Sequence, residues 1–156
     1  MNNRVIRRMP NLAIVGLILF VIQTGNLAAQ SAISPDAEAD AGLTIKEIMN
    51  AVITPMTSTI WGAYQLQTDA EWQEVENAAL TVIAAGQVMA LGGSAEEDKV
   101  AAQETEWQQY NNAMMSAARA VIAAVAARDE EALFNAGNDQ LYPPCESCHQ
   151  RYQMTQ

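Results

Sequence analysis

The chain has 156 residues, half of them apolar, and its 18 acidic residues outnumber the 8 basic ones. The acidic balance argues against binding to nucleic acid or to an anionic membrane, and it favours a basic partner or simple solubility. The apolar share excludes a disordered chain, and the length suits one domain with a single core.

Residues 1–29 have the order of a secretory signal peptide. Three arginines precede an apolar run from Leu12 to Ile22, and small residues up to Ala29 follow it. The apolar run of eleven residues is shorter than the roughly 20 that a membrane-spanning helix needs, which disfavours an uncleaved anchor. We therefore predict cleavage after Ala29 and export to the periplasm. All 18 acids and five of the 8 bases lie after residue 29, so the mature chain carries a formal charge near −13.

The next residues, 30–42, are small, acidic and proline-containing, and they predict a flexible lead-in. From residue 43 onward, apolar residues recur at intervals of three and four, which is typical of amphipathic helices. The first of these stretches runs from Leu43 to Tyr64, and we expect Pro55 to kink it or to end its first half.

The second stretch begins at Thr68, which forms a capping box with Glu71, and it ends at the Gly92-Gly93 pair. The third stretch spans about 95–127 and reads as one helix with Val100 turned inward.

The fourth stretch begins after Asp129, a helix-capping residue, and meets Pro143-Pro144. No segment shows the alternating pattern of a strand. Residues 43–156 therefore predict an all-α domain, an antiparallel four-helix bundle with a haem site at its C-terminal end.

That site rests on three residues. The chain's two cysteines and single histidine fall within five positions, as Cys145, Cys148 and His149. The pattern C-x-x-C-H is typical of covalent attachment of c-type haem. On a helix, this spacing places the three side chains on one face, as two thioether bonds and one axial imidazole require.

Three other interpretations compete with haem. A structural zinc site needs four ligands, and the two cysteines and one histidine supply only three. A thioredoxin-like redox pair is expected beside a βαβ unit, and the sequence shows no strand pattern. A Cys145–Cys148 disulfide in a haem-free helical binding module stays open.

A distal iron ligand has to come from upstream, because only seven residues follow His149. No second histidine exists, and Met154 is too close in sequence to reach the opposite side. The upstream methionines that remain in the mature chain are Met49, Met56, Met89, Met114 and Met115.

The residues resemble class II c-type cytochromes, the group of cytochrome c′ and cytochrome c-556. The resemblance covers about residues 43–152 and rests on "CESCHQRY", on "EWQQY" around Trp107, and on "AARDEEALFNAGNDQL". It implies that Cys145 and Cys148 hold haem c, that His149 is the proximal ligand and that Tyr152 packs near the haem. Gln153 stands where the family often has a basic residue.

The same resemblance implies a distal role for Met49. In the family, a bulky aliphatic residue at the matching position leaves iron five-coordinate and open to gases such as NO and CO, whereas methionine gives six-coordinate iron suited to electron transfer. We therefore predict a one-electron carrier rather than an enzyme, with a redox partner that presents a basic docking face. A gas-binding protein is the alternative, and the family also includes homodimers.

Overall fold

The computed structural model describes residues 42–153, which form helices joined by short loops and contain no strand. The predicted signal peptide, residues 30–41 of the predicted lead-in and Met154 lie outside the described residues. The all-α class is confirmed for the part that the structure describes. Within that part, no helix is both long enough and apolar enough to cross a bilayer.

Five helices follow one another along the described chain, and two of them are interrupted by a wider π-helical turn. α1 joins Ile45–Ile48, the π-helical Met49–Ile53 and Thr54–Trp61. α2 is Asp69–Met89, α3 is Glu96–Ala101 and α4 is Thr105–Ala127. α5 joins Glu130–Asn135, the π-helical Ala136–Leu141 and Tyr142–Tyr152.

The predicted end signals of the helices are confirmed. Thr68 and Glu71 form both bonds of the capping box at the start of α2. The Asp129 side chain accepts a hydrogen bond of 2.9 Å from the backbone N–H of Ala132 at the start of α5. Gly92, just after α2, has a φ of 84°, a left-handed conformation that favours glycine. These signals depend on neighbouring residues alone, which is why the sequence reveals them.

The prediction of one helix over 95–127 is wrong, because the chain turns between α3 and α4. The buried residues here are Asp98 in α3 and Ala102 just beyond it. The Asp98 carboxylate accepts a 2.8 Å hydrogen bond from the backbone N–H of Ile45. Val100 falls on the opposite side and is 60% exposed, not buried as expected. Leu43 and Tyr64 are also exposed, since α1 begins after the first and ends before the second.

The core is centred on α2 and α4, which make the most extensive helix-to-helix contact of the described chain. Small residues bring them close: Ala79 and Ala118 are fully buried beside Val82 and Val121. At Gly86 a Cβ atom would lie 2.6 Å from Cγ of Met115, so glycine is required for this approach. α1 packs on α2, and α5 packs on α4.

Candidate functional site

The three residues of the C-x-x-C-H motif face one cavity. Cys145, Cys148 and His149 lie on the last segment of α5, Tyr142–Tyr152, and all three line a cavity of about 530 Å³. Its walls come from α1, α4, α5 and the end of α2. That volume is within the range of about 300 to 1,000 Å³ typical of ligand and cofactor sites.

The motif is helical because α5 continues through two prolines. A proline in a helix lacks the N–H donor and clashes with the carbonyl four residues earlier. The π-helical Ala136–Leu141 lies immediately before Tyr142-Pro143-Pro144, and it ends with the N–H of Tyr142 donating to the carbonyl of Gly137, five residues back. This wider turn makes room for the prolines, so the helix does not end where the prolines meet it.

The same device occurs in α1. Pro55 follows the π-helical Met49–Ile53, where the N–H of Thr54 donates to the carbonyl of Met49. The helix therefore does not end at Pro55, as one of the two expectations had it, but widens locally just before the proline. The first wide turn lines the cavity through Met49 and Ile53, and the second immediately precedes the segment that carries the motif, which fits the frequent occurrence of π-helical turns at functional sites.

The two cysteines are free thiols in partly buried positions. Burial raises the pKa of both thiols to about 11, and the neighbouring Cys148 adds to the effect at Cys145. Both groups are therefore neutral at physiological pH, unlike the low-pKa thiolate of a redox-active pair.

His149 is exposed at the cavity, next to Cys148 in sequence. Among residues 42–153, no group of three or more histidine, cysteine, aspartate or glutamate side chains is arranged to hold a metal ion by itself.

Three methionines line the cavity: Met49 from α1, Met89 from the end of α2 and Met114 from α4. Met49 is half-buried, whereas Met89 and Met114 are only 2% and 4% exposed. The family resemblance predicts a role at the site for Met49 but for neither Met89 nor Met114. Their position at the cavity depends on how α2 and α4 pack against α5, which spacing within one helix does not reveal.

Two buried polar atoms near the cavity lack a hydrogen-bond partner among the described residues: Nε1 of Trp107 and Oδ1 of Asn111. Both residues line the cavity. The amide of Asn111 uses its other end, because Nδ2 donates to the carbonyl of Gly86 at 2.8 Å. A buried donor or acceptor without a partner costs about 1 to 3 kcal/mol, and such groups in native proteins often mark a ligand.

Tyr152 does not line the cavity. Its ring lies edge-on to Trp107, with ring centroids 5.0 Å apart, and its hydroxyl donates to Glu104 at 2.8 Å. Tyr152 therefore supports the cavity wall through Trp107, and direct packing against a haem stays a prediction.

A charged network holds the end of α5 against the start of α4, and the sequence argument did not find it. Arg151, two residues after His149, lies 3.2 Å from a carboxylate oxygen of Glu106 and 3.7 Å from one of Glu104. Tyr110, which lines the cavity, donates to the other oxygen of Glu106 at 3.2 Å. The helical segment that carries His149 is thus tied to α4 by side chains.

Comparisons with protein-family models, with curated proteins and with solved structures found no match for this chain.

Proposed function

We propose that the mature chain is a periplasmic, class II-like c-type cytochrome that carries one covalent haem and transfers single electrons. The observation that supports this most directly is the convergence of Cys145, Cys148 and His149 on one cavity from one helical segment. Thioether attachment needs two thiols and an imidazole on the same side of the haem, and this segment presents them together.

The helix packing supports a four-helix bundle as the scaffold. α1 packs on α2, α2 on α4 and α4 on α5, and α1 also reaches the π-helical part of α5. This neighbour order closes a ring of four, with the short α3 between its second and third members. Short connections between such helices favour antiparallel neighbours.

In this proposal, each cavity residue has a role suited to its chemistry. The two thiols would form the thioether bonds to haem, and the imidazole of His149 would bind its iron. Trp107 offers an N–H donor that a haem propionate would accept, whereas the Asn111 carbonyl oxygen, itself an acceptor, would need a donor such as a water molecule. When bound, haem supplies an iron centre that accepts and releases one electron.

Met49 is our proposal for the distal ligand. Its thioether is one of three that line the cavity, and it lies on α1, a different helix from the one that carries the motif. Because Met49 belongs to the wide turn before Pro55 and is only half-buried, it has more freedom to move toward a ligand than the tightly packed Met89 or Met114.

Covalent haem is tested by producing the full chain together with haem-attachment machinery. We expect colour that stays with the protein after acid–organic extraction, and a mass increased by one haem. Cys145→Ala and Cys148→Ala should each reduce covalent incorporation. A colourless protein whose mass is lower by two hydrogen atoms would show the Cys145–Cys148 disulfide instead, and the cytochrome proposal would fail.

The distal ligand is tested with three matched variants, Met49→Leu, Met89→Leu and Met114→Leu. Leucine conserves volume, so folding should survive in each. We expect only the first to convert a low-spin spectrum to a high-spin one and to let the reduced protein bind CO. An unmutated protein that is already high-spin and binds CO readily would favour the gas-binding alternative.

A further inference from the structure

Two aromatic rings meet at the mouth of the cavity. Trp61 at the end of α1 and Tyr142 in α5 both line the cavity, and their ring centroids are 6.3 Å apart with the planes inclined by 65°. Both side chains are also open to solvent, at 40% and 51% exposure. The pair therefore connects the cavity with the outer surface.

One backbone carbonyl anchors both residues. The indole N–H of Trp61 donates to the carbonyl of Gly137 at 2.9 Å, and the backbone N–H of Tyr142 donates to the same carbonyl across the π-helical turn. Rigid aromatic side chains that are already held in place lose little conformational freedom when a partner covers them. Such residues are common at the centres of protein interfaces.

The mouth is nearly neutral on an otherwise acidic protein. No residue from Ile48 to Thr68 carries a charge, and Glu146 is the one carboxylate among the described residues that line the cavity. Two exposed acids lie near Tyr142 on the same helix, Asp139 three residues before it and Glu146 four residues after it. This arrangement suits a partner with an apolar contact area bordered by lysine and arginine.

We propose that the Trp61–Tyr142 pair is the docking point for such a basic redox protein, which exchanges electrons with the cavity's cofactor. This inference rests on the proposed function. The pair supplies short-range contact, while the surrounding acidic surface steers the partner at longer range.

The test uses the haem-loaded full chain and a small lysine-rich cytochrome c as the probe, with the bimolecular electron-transfer rate measured by stopped flow. We expect Trp61→Leu and Tyr142→Leu each to slow this reaction about tenfold, which corresponds to the loss of one interface anchor. Tyr64→Leu is the matched control, because Tyr64 is 76% exposed but does not line the cavity. Its rate should stay within about twofold of the unmutated protein.

A second measurement separates docking from changes at the cofactor. Because Trp61 and Tyr142 line the cavity, the rate with a small inorganic oxidant, ferricyanide, is measured for each variant as well. The docking loss is the slowing of the protein reaction beyond any change in the ferricyanide rate, and we expect it to be about tenfold for Trp61→Leu and Tyr142→Leu and absent for Tyr64→Leu. Equal effects of Tyr142→Leu and Tyr64→Leu on the protein reaction, or no effect of either, would overturn the docking proposal while leaving the cytochrome proposal intact. Absence of covalent haem in the absorption spectrum, recorded before any rate, would overturn both.

Discussion

The two halves of this molecule are built by opposite means. In the pair α2 and α4, regular helices approach closely through alanines and Gly86, and the interior is filled by side chains such as Val82 and Val121. In the pair α1 and α5, each helix carries a proline two residues after the end of a wide π-helical turn, and both helices line a cavity of about 530 Å³. Dense regular packing provides stability, and the irregular pair provides room for a ligand. Changes to the two halves should therefore have different consequences.

The largest expected effect concerns the thiols of the irregular half. With a pKa of about 11 against an ordinary 9.0, Cys145 and Cys148 carry far less thiolate below pH 9 in the folded, haem-free protein than in the unfolded chain. We expect alkylation by iodoacetamide at pH 7.5 to be about a hundredfold slower in the native than in the urea-denatured protein. The native rate should keep rising with pH up to about 11, where the denatured rate has already levelled off. Equal native and denatured rates would show that burial does not protect these thiols.

The next prediction concerns a larger side chain in the densely packed contact between α2 and α4. Ala118 on α4 is fully buried against α2, so Ala118→Leu should lower the free energy of unfolding by about 1 to 3 kcal/mol. Met114→Leu is the matched control, one helical turn earlier at the cavity wall, and should cost less than about 1.5 kcal/mol. Urea denaturation of the haem-loaded protein measures both, with the denaturant slope as a check on two-state unfolding. A larger loss at residue 114 than at residue 118 would show that the contact between α2 and α4 around Ala118 is not densely packed.

Local signals explain how much of this fold the sequence predicts. Two kinds of feature depend only on residues within a few positions of one another, so spacing alone identifies them. They are the helix caps at Thr68 and Asp129 and the shared helix face of Cys145, Cys148 and His149. From these features the sequence predicts where helices begin and that the motif residues share one helix face.

The remaining features depend on contacts between distant segments. The inward side of α3 is identified by the bond of Asp98 to Ile45, which are 53 positions apart. The places of Met89 and Met114 at the cavity follow from helix packing. A proline predicts an interruption, but whether a helix ends or widens there depends on the neighbours that hold it.

The third prediction concerns the replacement of Pro55, which should make α1 a more regular helix. Pro55→Ala restores an N–H donor and removes the clash with the preceding turn, so α1 gains up to about 3 kcal/mol of helix stability. If the wide turn Met49–Ile53 narrows as a result, Met49 rotates away from the cavity. We therefore expect higher resistance to urea together with a larger high-spin fraction in the absorption spectrum.

Asn50→Ala is the control for that variant, because Asn50 is exposed in the same turn and its replacement changes helix propensity alone. It should raise stability by no more than about 0.7 kcal/mol and leave the spectrum unchanged. Lower stability of Pro55→Ala would show that the wide turn is not a response to the proline.

The smallest expected effect concerns the charged network at the end of α5. Arg151 lies between Glu104 and Glu106, and all three side chains are about half exposed, so the ion pairs contribute only about 0.2 to 1 kcal/mol. Arg151→Gln should therefore change the urea midpoint little. It should still lower the reduction potential, because it removes a positive charge two residues from His149 and leaves two carboxylates that favour the oxidised, more positive iron. Arg119→Gln, an exposed charge on α4 away from the cavity lining, removes the same net charge and should shift the potential less. Equal shifts in a spectroelectrochemical titration would mean that net charge, not this network, sets the effect.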